Sequence, residues 1–306
     1  MTNLSIHNSK SSCFPSIAIL ITCHNRRDTT LTCLSNLTQQ TLSSTVYLVD
    51  DGSTDDTSLA VQSQYPDVNI LSGSGSLFWG GGMRLAFATA LQTGHDYYLW
   101  LNDDTYLQTT ALETLITLHQ QLTEQGIPDA IIIGSTQDPI TGKSTYGGAI
   151  RTKSWYSNKL EPVEPTTELQ PCDTFFGNCI LIPHTVAQKV GNIDPGFIHT
   201  LGDLDYGLRA KSLGCSSWVA PGYLATCAQN SVSGSWADTK LPLIQRLKKA
   251  SQVKGFPLKP WTLFTHRHSG PFWFLYWFLP YIRAVIGYRN LSASPTFSAE
   301  VPQDRS

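Results

Sequence analysis

The first half of the chain alternates short apolar runs with longer amphipathic segments, and this alternation restricts its fold more than any other feature. The apolar runs predict strands over 17–23, 46–50, 68–71, 97–101 and 130–134, and the segments between them predict helices over 28–40, 54–64, 81–93 and 110–124. Strands separated by helices usually pair in parallel, because a helical crossover returns the chain to the same edge of the sheet. The pattern therefore predicts an α/β fold with a mostly parallel central sheet.

The pattern is less regular after residue 134. We predict a hairpin or loop over 141–155, a connector rich in proline and glutamate over 161–171, a strand over 174–183 and a helix over 201–214 that Gly214 closes. After Pro221 come a basic segment over 240–259, which can include a short helix, and an aromatic, apolar segment over 271–287. We expect one large α/β domain followed by a helical extension.

Composition excludes several classes of protein. With 306 residues, 41% of them hydrophobic, the chain can build a core without disulfide or metal crosslinks, and its net charge of −2 does not favour nucleic-acid binding. The seven cysteines include no CxxC pair, so we expect no disulfide framework or zinc site and a reducing cytoplasm. Residues 1–16 are polar and no apolar run reaches about eighteen residues, so we expect neither a secretory signal nor a spanning helix.

Adjacent acidic residues follow the second predicted strand, in the motif DDGSTDDT. Ligands bind at the carboxyl ends of strands in open α/β sheets, so such residues are candidates for a site. A well-capped turn explains Gly52, Ser53 and Thr54. It does not explain Asp50 and Asp51, because neighbouring carboxylates repel unless a donor or a cation lies nearby.

A second acidic pair, Asp103 and Asp104, follows Asn102 at the end of the apolar strand over 97–101. Mg²⁺ in proteins is commonly held by one or two carboxylates together with substrate phosphates, so a phosphate-bound metal is a natural interpretation. The alternative is a helix N-cap at Asp103, Asp104 or Thr105. Capping needs one such residue rather than two.

A glycine-rich stretch, SGSGSLFWGGGMR, precedes the third predicted helix. Glycines at a helix N-terminus, here Gly80 to Gly82, let backbone N–H groups approach a diphosphate. The stretch matches neither GxGxxG nor GxxxxGK[ST], which disfavours a dinucleotide enzyme or a P-loop NTPase. Trp79 is a candidate for stacking on a base or a sugar, with simple packing as the alternative.

The predicted helix over 201–214 contains two acidic residues near its start. Asp205 and Arg209 are four residues apart, which predicts an ion pair on the helix surface worth a few tenths of a kcal/mol. Asp203 is favoured by the helix dipole and can act either as a cap or in chemistry.

Taken together, the successive motifs TCHNR, VDDGSTDDT, LNDDT and GDLDYGLRAKSLG resemble the family 2 glycosyltransferases with a GT-A fold, specifically the rhamnosyltransferase-like bacterial members. The resemblance covers residues 17–236 and implies a Rossmann-like nucleotide-sugar-binding fold, a nucleotide-sugar donor and an inverting transfer. We therefore divide the chain into a polar tail (1–16), a GT-A catalytic domain (17–236) and a basic, aromatic extension (237–306).

The resemblance also implies roles for individual residues. Asp203 matches the catalytic base, Asp50 or Asp51 would contact the nucleotide base, Asp103 the ribose, and Asp104 a Mg²⁺ or Mn²⁺ ion on the diphosphate. Two positions depart from the family pattern, Asn102 in place of the first acid of DxD and Gly202 in place of a glutamate. A histidine often found after the last core strand is not evident in YLATCAQNS.

The remaining residues that the resemblance assigns fall into two groups. Further donor contacts are predicted at Thr22, Asn25, Arg26, Trp79, Gly80, Gly81, Arg84 and Asn102. Contacts to the acceptor, or closure over donor and acceptor, are predicted at Gly177, Asn178, Asp205 and Arg209.

The predicted function is an inverting transfer of a sugar to a saccharide or lipid-linked acceptor in cell-surface polysaccharide biosynthesis. A metal would stabilise the leaving diphosphate, and a carboxylate would accept the proton of the acceptor hydroxyl. One alternative is a degenerate nucleotide-sugar-binding protein, motivated by Asn102 and Gly202. The other is a sugar nucleotidyltransferase, which typically carries a glycine-rich, basic loop where this chain has HNRRD.

The extension combines five cations with an aromatic segment, PFWFLYWFLPYIRAVIG. Such a combination is typical of a basic surface beside an interfacial anchor, and it predicts peripheral contact of a cytoplasmic protein with the inner face of the plasma membrane. A helix packed on the sheet domain is the alternative. The cations are Arg246, Lys248, Lys249, Lys254 and Lys259.

Overall fold

The computed structural model describes residues 15–152, 160–229, 233–238 and 240–286. The tail over 1–14, part of the hairpin predicted over 141–155 and the end of the extension lie outside them. The strands are β1 Ile17–Cys23, β2 Thr45–Asp50, β3 Asn69–Ser72, β4 Tyr97–Leu101, β5 Tyr106–Leu107, β6 Ala130–Gln137, β7 Gly148–Arg151, β8 Leu160–Pro162, β9 Gln170–Cys172, β10 Thr174–Phe175, β11 Cys179–Pro183 and β12 Ser216–Thr226. The helices are α1 Arg27–Leu37, α2 Thr57–Gln64, α3 Phe78–Thr93, α4 Ala111–Glu124, α5 His184–Val190, α6 Gly202–Ser212, α7 Leu243–Ala250, α8 Leu258–His268 and α9 Trp273–Ile286.

The large sheet has the strand order β3-β2-β1-β4-β11-β6-β12-β5, with β9 also paired to β12. Strands β1 to β4 are mutually parallel and β12 is parallel to β6, whereas β11 runs antiparallel between β4 and β6. The prediction of a mostly parallel α/β sheet is confirmed. Three strands from the chain segment after β6 form a separate small sheet with the order β10-β7-β8.

Both faces of the large sheet are buried, as the apolar strands predicted. In β4, Tyr97, Leu99 and Leu101 belong to a core that includes residues of α1 and α4. The alternate residues Tyr98 and Trp100 point to the other face, into a core formed with α3, α5 and α6. This two-sided burial fixes the carboxyl end of β4 rigidly at the sheet edge.

Several element boundaries differ from the sequence prediction. The strand predicted over 174–183 is two strands, β10 and β11, which pair in different sheets. Strand β12 was not predicted, because Pro221 and Gly222 interrupt its apolar pattern although the strand continues through them. Helix α3 begins at Phe78, three residues before the predicted start, so the three glycines lie within its first turns.

The helical extension packs on the α/β domain through α8. Phe264 of α8 joins a buried cluster with Phe197, Leu204 and Leu208, and the last two belong to α6. Helix α9 packs in turn against α7 and α8. The packed-helix interpretation therefore holds for α8, whereas α9 reaches the domain through its neighbours.

Candidate active site

The carboxyl ends of three adjacent strands place the predicted motifs together. In the register of the sheet Cys23 at the end of β1 lies beside Asp50 at the end of β2, and β1 also pairs with β4. Antiparallel β11 begins at the same edge, because Cys179 lies beside Leu101. The segments 24–26, 50–57, 102–104 and 177–178 therefore converge, although they are far apart in the chain.

An arginine explains why two acidic residues can follow β4. The Arg26 guanidinium lies 3.2 Å from Asp103 Oδ1 and 2.9 Å from Asp104 Oδ2. The Thr30 hydroxyl donates a hydrogen bond to Asp103 as well. Burial raises the pKa of Asp103 to about 7 although Arg26 opposes the shift, and Asp104 adds to it. Asp103 is thus the buried member of the pair and Asp104 the accessible one.

Asp104 is the carboxylate of this pair that a bound cation could reach. Its side chain is 28% exposed, and its second oxygen lies 3.7 Å from the Cys227 sulfur. Among the residues that the structure describes, no group of three or more His, Cys, Asp or Glu side chains converges on a metal position. One accessible carboxylate fits a cation that takes its other ligands from substrate phosphates.

Cys227 is a site residue that the sequence interpretation missed. It follows β12 directly, where YLATCAQNS lacks a histidine, and its thiol lies beside Asp104 and 3.3 Å from Asn178 Nδ2. Burial, with a contribution from Asp104, raises the pKa of this thiol to about 12, so the group is neutral at physiological pH. The available signal was its place in YLATCAQNS, where the family resemblance leads one to look for a histidine.

The first acidic pair is held by backbone N–H groups of neighbouring turns. Asp50 Oδ1 accepts a hydrogen bond from the Ser53 N–H at 2.9 Å, and its other oxygen accepts the Ser58 hydroxyl. Asp51 accepts the N–H groups of Gly75 and Phe78, both at 2.8 Å. Asp51 therefore caps the start of α3. These donors offset the repulsion between the neighbouring carboxylates of Asp50 and Asp51. Contact of either residue with a nucleotide base stays a prediction.

Asn25 ties the loop after β1 to the loop after β2. Its backbone has a φ of 51°, in the left-handed region that asparagine tolerates. The Asn25 N–H donates to Ser53 Oγ at 2.8 Å, and its side-chain oxygen accepts the Thr54 N–H at 2.7 Å. Asn25 thus orders the two loops that border the site.

The glycines of α3 are used for packing against protein atoms. A Cβ at Gly80 would lie 2.4 Å from the Phe197 carbonyl oxygen, and one at Gly82 would lie 2.2 Å from Thr22 Oγ1. The Gly81 N–H donates to the Ile198 carbonyl oxygen at 3.1 Å. The close approach of this helix is therefore to β1 and the segment 197–198. Arg84, one turn further on, is partly buried, and its carbonyl oxygen accepts Asn192 Nδ2 at 2.9 Å.

Trp79 connects the two halves of the site. Its indole N–H donates to Asn102 Oδ1 at 2.8 Å, which gives the unexpected asparagine a partner. On the other side its ring lies against Gly177, where an added Cβ would come within 2.6 Å of Cζ2. Residue 177 must therefore be glycine for the ring to occupy this place.

Asp203 lies beyond Gly177, in the first turn of α6. Its Oδ2 accepts the Gly177 N–H at 2.9 Å, and its Oδ1 accepts the Leu204 N–H at 2.8 Å. Burial raises the pKa of this carboxyl above its usual range, while the two N–H groups oppose the shift. The residues Asp104, Asn102, Trp79, Gly177 and Asp203 thus form one chain of sequence neighbours and contacts, with the accessible carboxylate Asp104 at one end and the carboxyl of Asp203 at the other.

Residues 18–191, more than half of the chain, match glycosyl transferase family 2. The chain belongs to this family. A curated relative, the low-salt glycan biosynthesis hexosyltransferase Agl10 of Haloferax volcanii, is 23% identical over 150 residues, which are 48% of this chain and 47% of that protein. The chain therefore spans about half the length of that relative.

Two solved structures share the fold. One is GalNAc-T7 with UDP, GalNAc and Mn²⁺, with a TM-score of 0.58 and 13% identity over 71% of this chain and 44% of that chain. The other is the mannosyltransferase PcManGT of Pyrobaculum calidifontis in complex with GDP-Man and Mn²⁺, with a TM-score of 0.54 and 14% identity over 90% of this chain and 74% of that chain. They confirm the predicted GT-A fold.

Two predicted site residues of this family member lie in a buried ion network. Asp205 is fully buried, so its pair with Arg209 is not on the helix surface as predicted. The cause is α8, which covers this face of α6 and brings in Arg267 and His268. Arg209 also donates to the carbonyl oxygens of residues 190 and 192. These contacts are between protein groups, and an acceptor contact for either residue stays a prediction.

Asn178 lies inside the site, where its carbonyl oxygen accepts the Asn102 N–H at 3.3 Å. Its side chain contacts Thr105 and Cys227.

Arg267 and His268 had no signal in the family motifs, because they come from the extension, about sixty residues after Asp205.

Within the described parts of the chain, every helix is too short or too polar to cross a membrane.

Proposed function

We propose that this protein transfers a sugar, with inversion, from a nucleoside diphosphate donor to an acceptor hydroxyl. One observation carries the proposal: the Asp203 carboxylate, with its raised pKa, is joined through Gly177, Trp79 and Asn102 to the carboxylates after β4. Family membership supports it, as do the nucleotides and Mn²⁺ bound in both solved structures and the hexosyltransferase activity of the curated relative.

Asp203 acts as the general base in this proposal. As the acceptor oxygen bonds to the anomeric carbon, the bond from that carbon to the diphosphate oxygen breaks, and the hydroxyl proton passes to Asp203. A raised pKa makes the carboxylate a stronger proton acceptor, and such a base typically contributes about 10²–10⁴-fold to the rate. The Gly177 and Leu204 N–H groups hold it in one orientation.

The residues after β4 bind the donor in this proposal. Asp103, held by Arg26 and Thr30, would accept hydrogen bonds from the ribose. Asp104 would hold Mg²⁺ or Mn²⁺, which supplies Lewis-acid stabilisation of the departing diphosphate. Trp79, fixed by Asn102 and Gly177, offers a ring face for the sugar or the nucleotide base.

The acceptor in this proposal is a saccharide or a lipid-linked saccharide, and the setting is cell-surface polysaccharide assembly in the cytoplasm. The glycan biosynthesis named for the curated relative supports a glycan acceptor.

A non-catalytic nucleotide-sugar-binding protein is the second candidate, since Asn102 and Gly202 depart from the family pattern. Both have local reasons in the fold. Asn102 accepts the Trp79 indole N–H, and an added Cβ at Gly202 would lie 3.2 Å from Ile193 and 3.3 Å from Phe197. Such packing leaves a glutamate little room, whatever the activity.

The test begins with a thermal-shift panel of nucleoside diphosphates in the presence of Mn²⁺, which identifies the base because a specific ligand stabilises according to its affinity. Release of that diphosphate from matching sugar donors is then measured for the wild type and Asp203→Asn. We expect both to bind and the wild type alone to turn over rapidly. Binding by both with turnover by neither would favour the non-catalytic candidate.

A further inference from the structure

Helix α9 presents one continuous apolar face. Its exposed residues recur at helical spacing and span about 100° of the helix circumference. Each is between 47% and 56% exposed, and among the α9 side chains that the structure describes all the exposed ones are apolar: Phe274, Leu275, Phe278, Ile282 and Val285. Phe272, just before the helix, is 60% exposed.

Hydrogen bonds to neighbouring segments hold α9 in place. The Trp277 indole N–H donates to Thr262 Oγ1 at 2.8 Å, and its carbonyl oxygen accepts the Trp261 indole N–H at 2.9 Å. The Tyr281 hydroxyl donates to the Phe256 carbonyl oxygen at 2.7 Å. The apolar face therefore belongs to a helix held in place, and its exposure is a property of the fold.

The neighbouring helices α7 and α8 also expose apolar side chains. Ile244 of α7 is 81% exposed and Leu258 of α8 is 56% exposed. Leu258 also lines a shallow groove of about 470 Å³ along α8, with Lys259, Thr262, Leu263 and His266. In α8 the exposed Lys259 thus lies beside apolar surface. In α7 the exposed Lys248 lies one helical turn after Ile244.

Charge is segregated into the same part of the chain. Residues 240–286 contain eight lysines and arginines and no aspartate or glutamate, whereas the whole chain has a net charge of −2. The rest of the chain therefore carries a net charge of −10. An apolar face on a helix packed against two helices that carry exposed lysines is complementary to a bilayer with anionic headgroups, and a second copy of the chain would bring like charges together.

We propose that α7, α8 and α9 form a docking surface for an anionic lipid bilayer. The apolar face of α9 enters the boundary between headgroups and acyl chains, and the lysines of α7 and α8 contact lipid phosphates. With 14 residues, α9 is about 21 Å long at 1.5 Å per residue, against about 30 Å for the bilayer core, so it lies in the interface.

The docking surface is connected directly to the candidate active site. Arg267 and His268 of α8 bind Asp205, which lies two residues after Asp203 in α6. A docked protein would therefore hold its base at a defined height above the bilayer, as a lipid-linked acceptor requires. This choice of acceptor rests on the proposed function, whereas the docking surface does not.

The test measures flotation of the full-length protein with vesicles of phosphatidylcholine, with and without phosphatidylglycerol. We expect binding to the anionic vesicles that weakens with added salt. Phe274→Ser/Phe278→Ser should reduce the bound fraction at least about tenfold, and Lys248→Glu/Lys259→Glu should abolish the preference for anionic vesicles. Leu59→Ser/Ile140→Ser is the matched control, because it removes two exposed apolar side chains elsewhere, and it should bind like the wild type.

Absence of wild-type flotation, or equal flotation of the wild type and Phe274→Ser/Phe278→Ser, would overturn the proposal. So would a dimer in light scattering that this variant breaks, without vesicle binding, because the face would then be occupied by a second copy. An unchanged melting temperature shows that each variant is folded. Sugar transfer to a soluble acceptor is measured in parallel: flotation without transfer refutes the proposed function alone, and transfer without flotation refutes the docking surface alone.

Discussion

Asp203 and Asp205 lie two residues apart in the first turn of α6, yet their surroundings differ in kind. Asp203 accepts hydrogen bonds from two backbone N–H groups, and burial raises its pKa. Asp205 is the more deeply buried carboxylate, but its pKa is lowered, since hydrogen bonds from His268, Arg209 and Arg267 outweigh the burial. The hydrogen-bond and ion-pair partners of each carboxylate, rather than its depth of burial, decide which one can take up a proton and which one stays ionised and anchors the helix.

The largest effect should come from Asp203→Asn. We expect transfer to fall by about 10²–10⁴-fold because the proton acceptor is lost, while the thermal shift with the diphosphate and Mn²⁺ is retained. In the wild type, activity should rise with pH through a pKa above the usual range for a carboxyl, because the base must be deprotonated. A variant that keeps wild-type turnover would remove Asp203 from the mechanism.

The main expected effect of Asp205→Asn is a loss of stability. Removing one partner of a buried ion network typically costs about 3–5 kcal/mol of unfolding free energy, because the remaining charges lose their partner. Its folded pKa lies below the unfolded value of 3.8, so the stabilisation is complete above that value and is lost as pH falls through the folded pKa. Urea unfolding of the variant and the wild type should therefore converge in acid; a constant difference would contradict the ion network.

Arg26→Met should have a smaller effect that grows with pH. The arginine is 36% exposed, so screening limits its contribution to about 1 kcal/mol. It keeps the pKa of Asp103 down to about 7, and without it Asp103 becomes charged only at higher pH. We expect a larger loss of melting temperature at pH 8 than at pH 6. Arg27→Met, at the exposed neighbour paired with Asp28, is the matched control and should show no such trend.

Cys227→Ala should have the smallest effect. Because Mn²⁺ prefers oxygen ligands to thiolate, Cys227 is not expected to bind it, and Mn²⁺ affinity should change less than about threefold. Loss of the buried sulfur should cost about 1 kcal/mol. The Mn²⁺ affinity is measured by titrating Mn²⁺ into the protein with the diphosphate bound. A large loss of affinity in the variant would make Cys227 a metal ligand.

Much of the sheet could be predicted from sequence. The strands over 17–23 and 97–101 have the predicted bounds, because a continuous apolar run can be satisfied only by burial on both faces of the sheet. The helix predicted over 201–214 spans Gly202–Ser212, and Gly214 follows it with a φ of 82°. Strand β12 escaped prediction, since its pairing with β6 across Pro221 and Gly222 depends on backbone contacts that no local pattern encodes.

The sequence by itself determined the family, the strands that carry the acidic motifs and the spacing of Asp205 from Arg209, because these depend on neighbours within a few residues. Only the tertiary structure decided which charges meet. Arg26 reaches Asp103 and Asp104 from the loop between β1 and α1, Asn102 takes the Trp79 indole as its partner, and α8 converts a predicted surface pair into a buried network. Electrostatic environment depends on groups brought together from distant parts of the chain, and for that reason the two carboxylates of α6 look alike in sequence and differ in the fold.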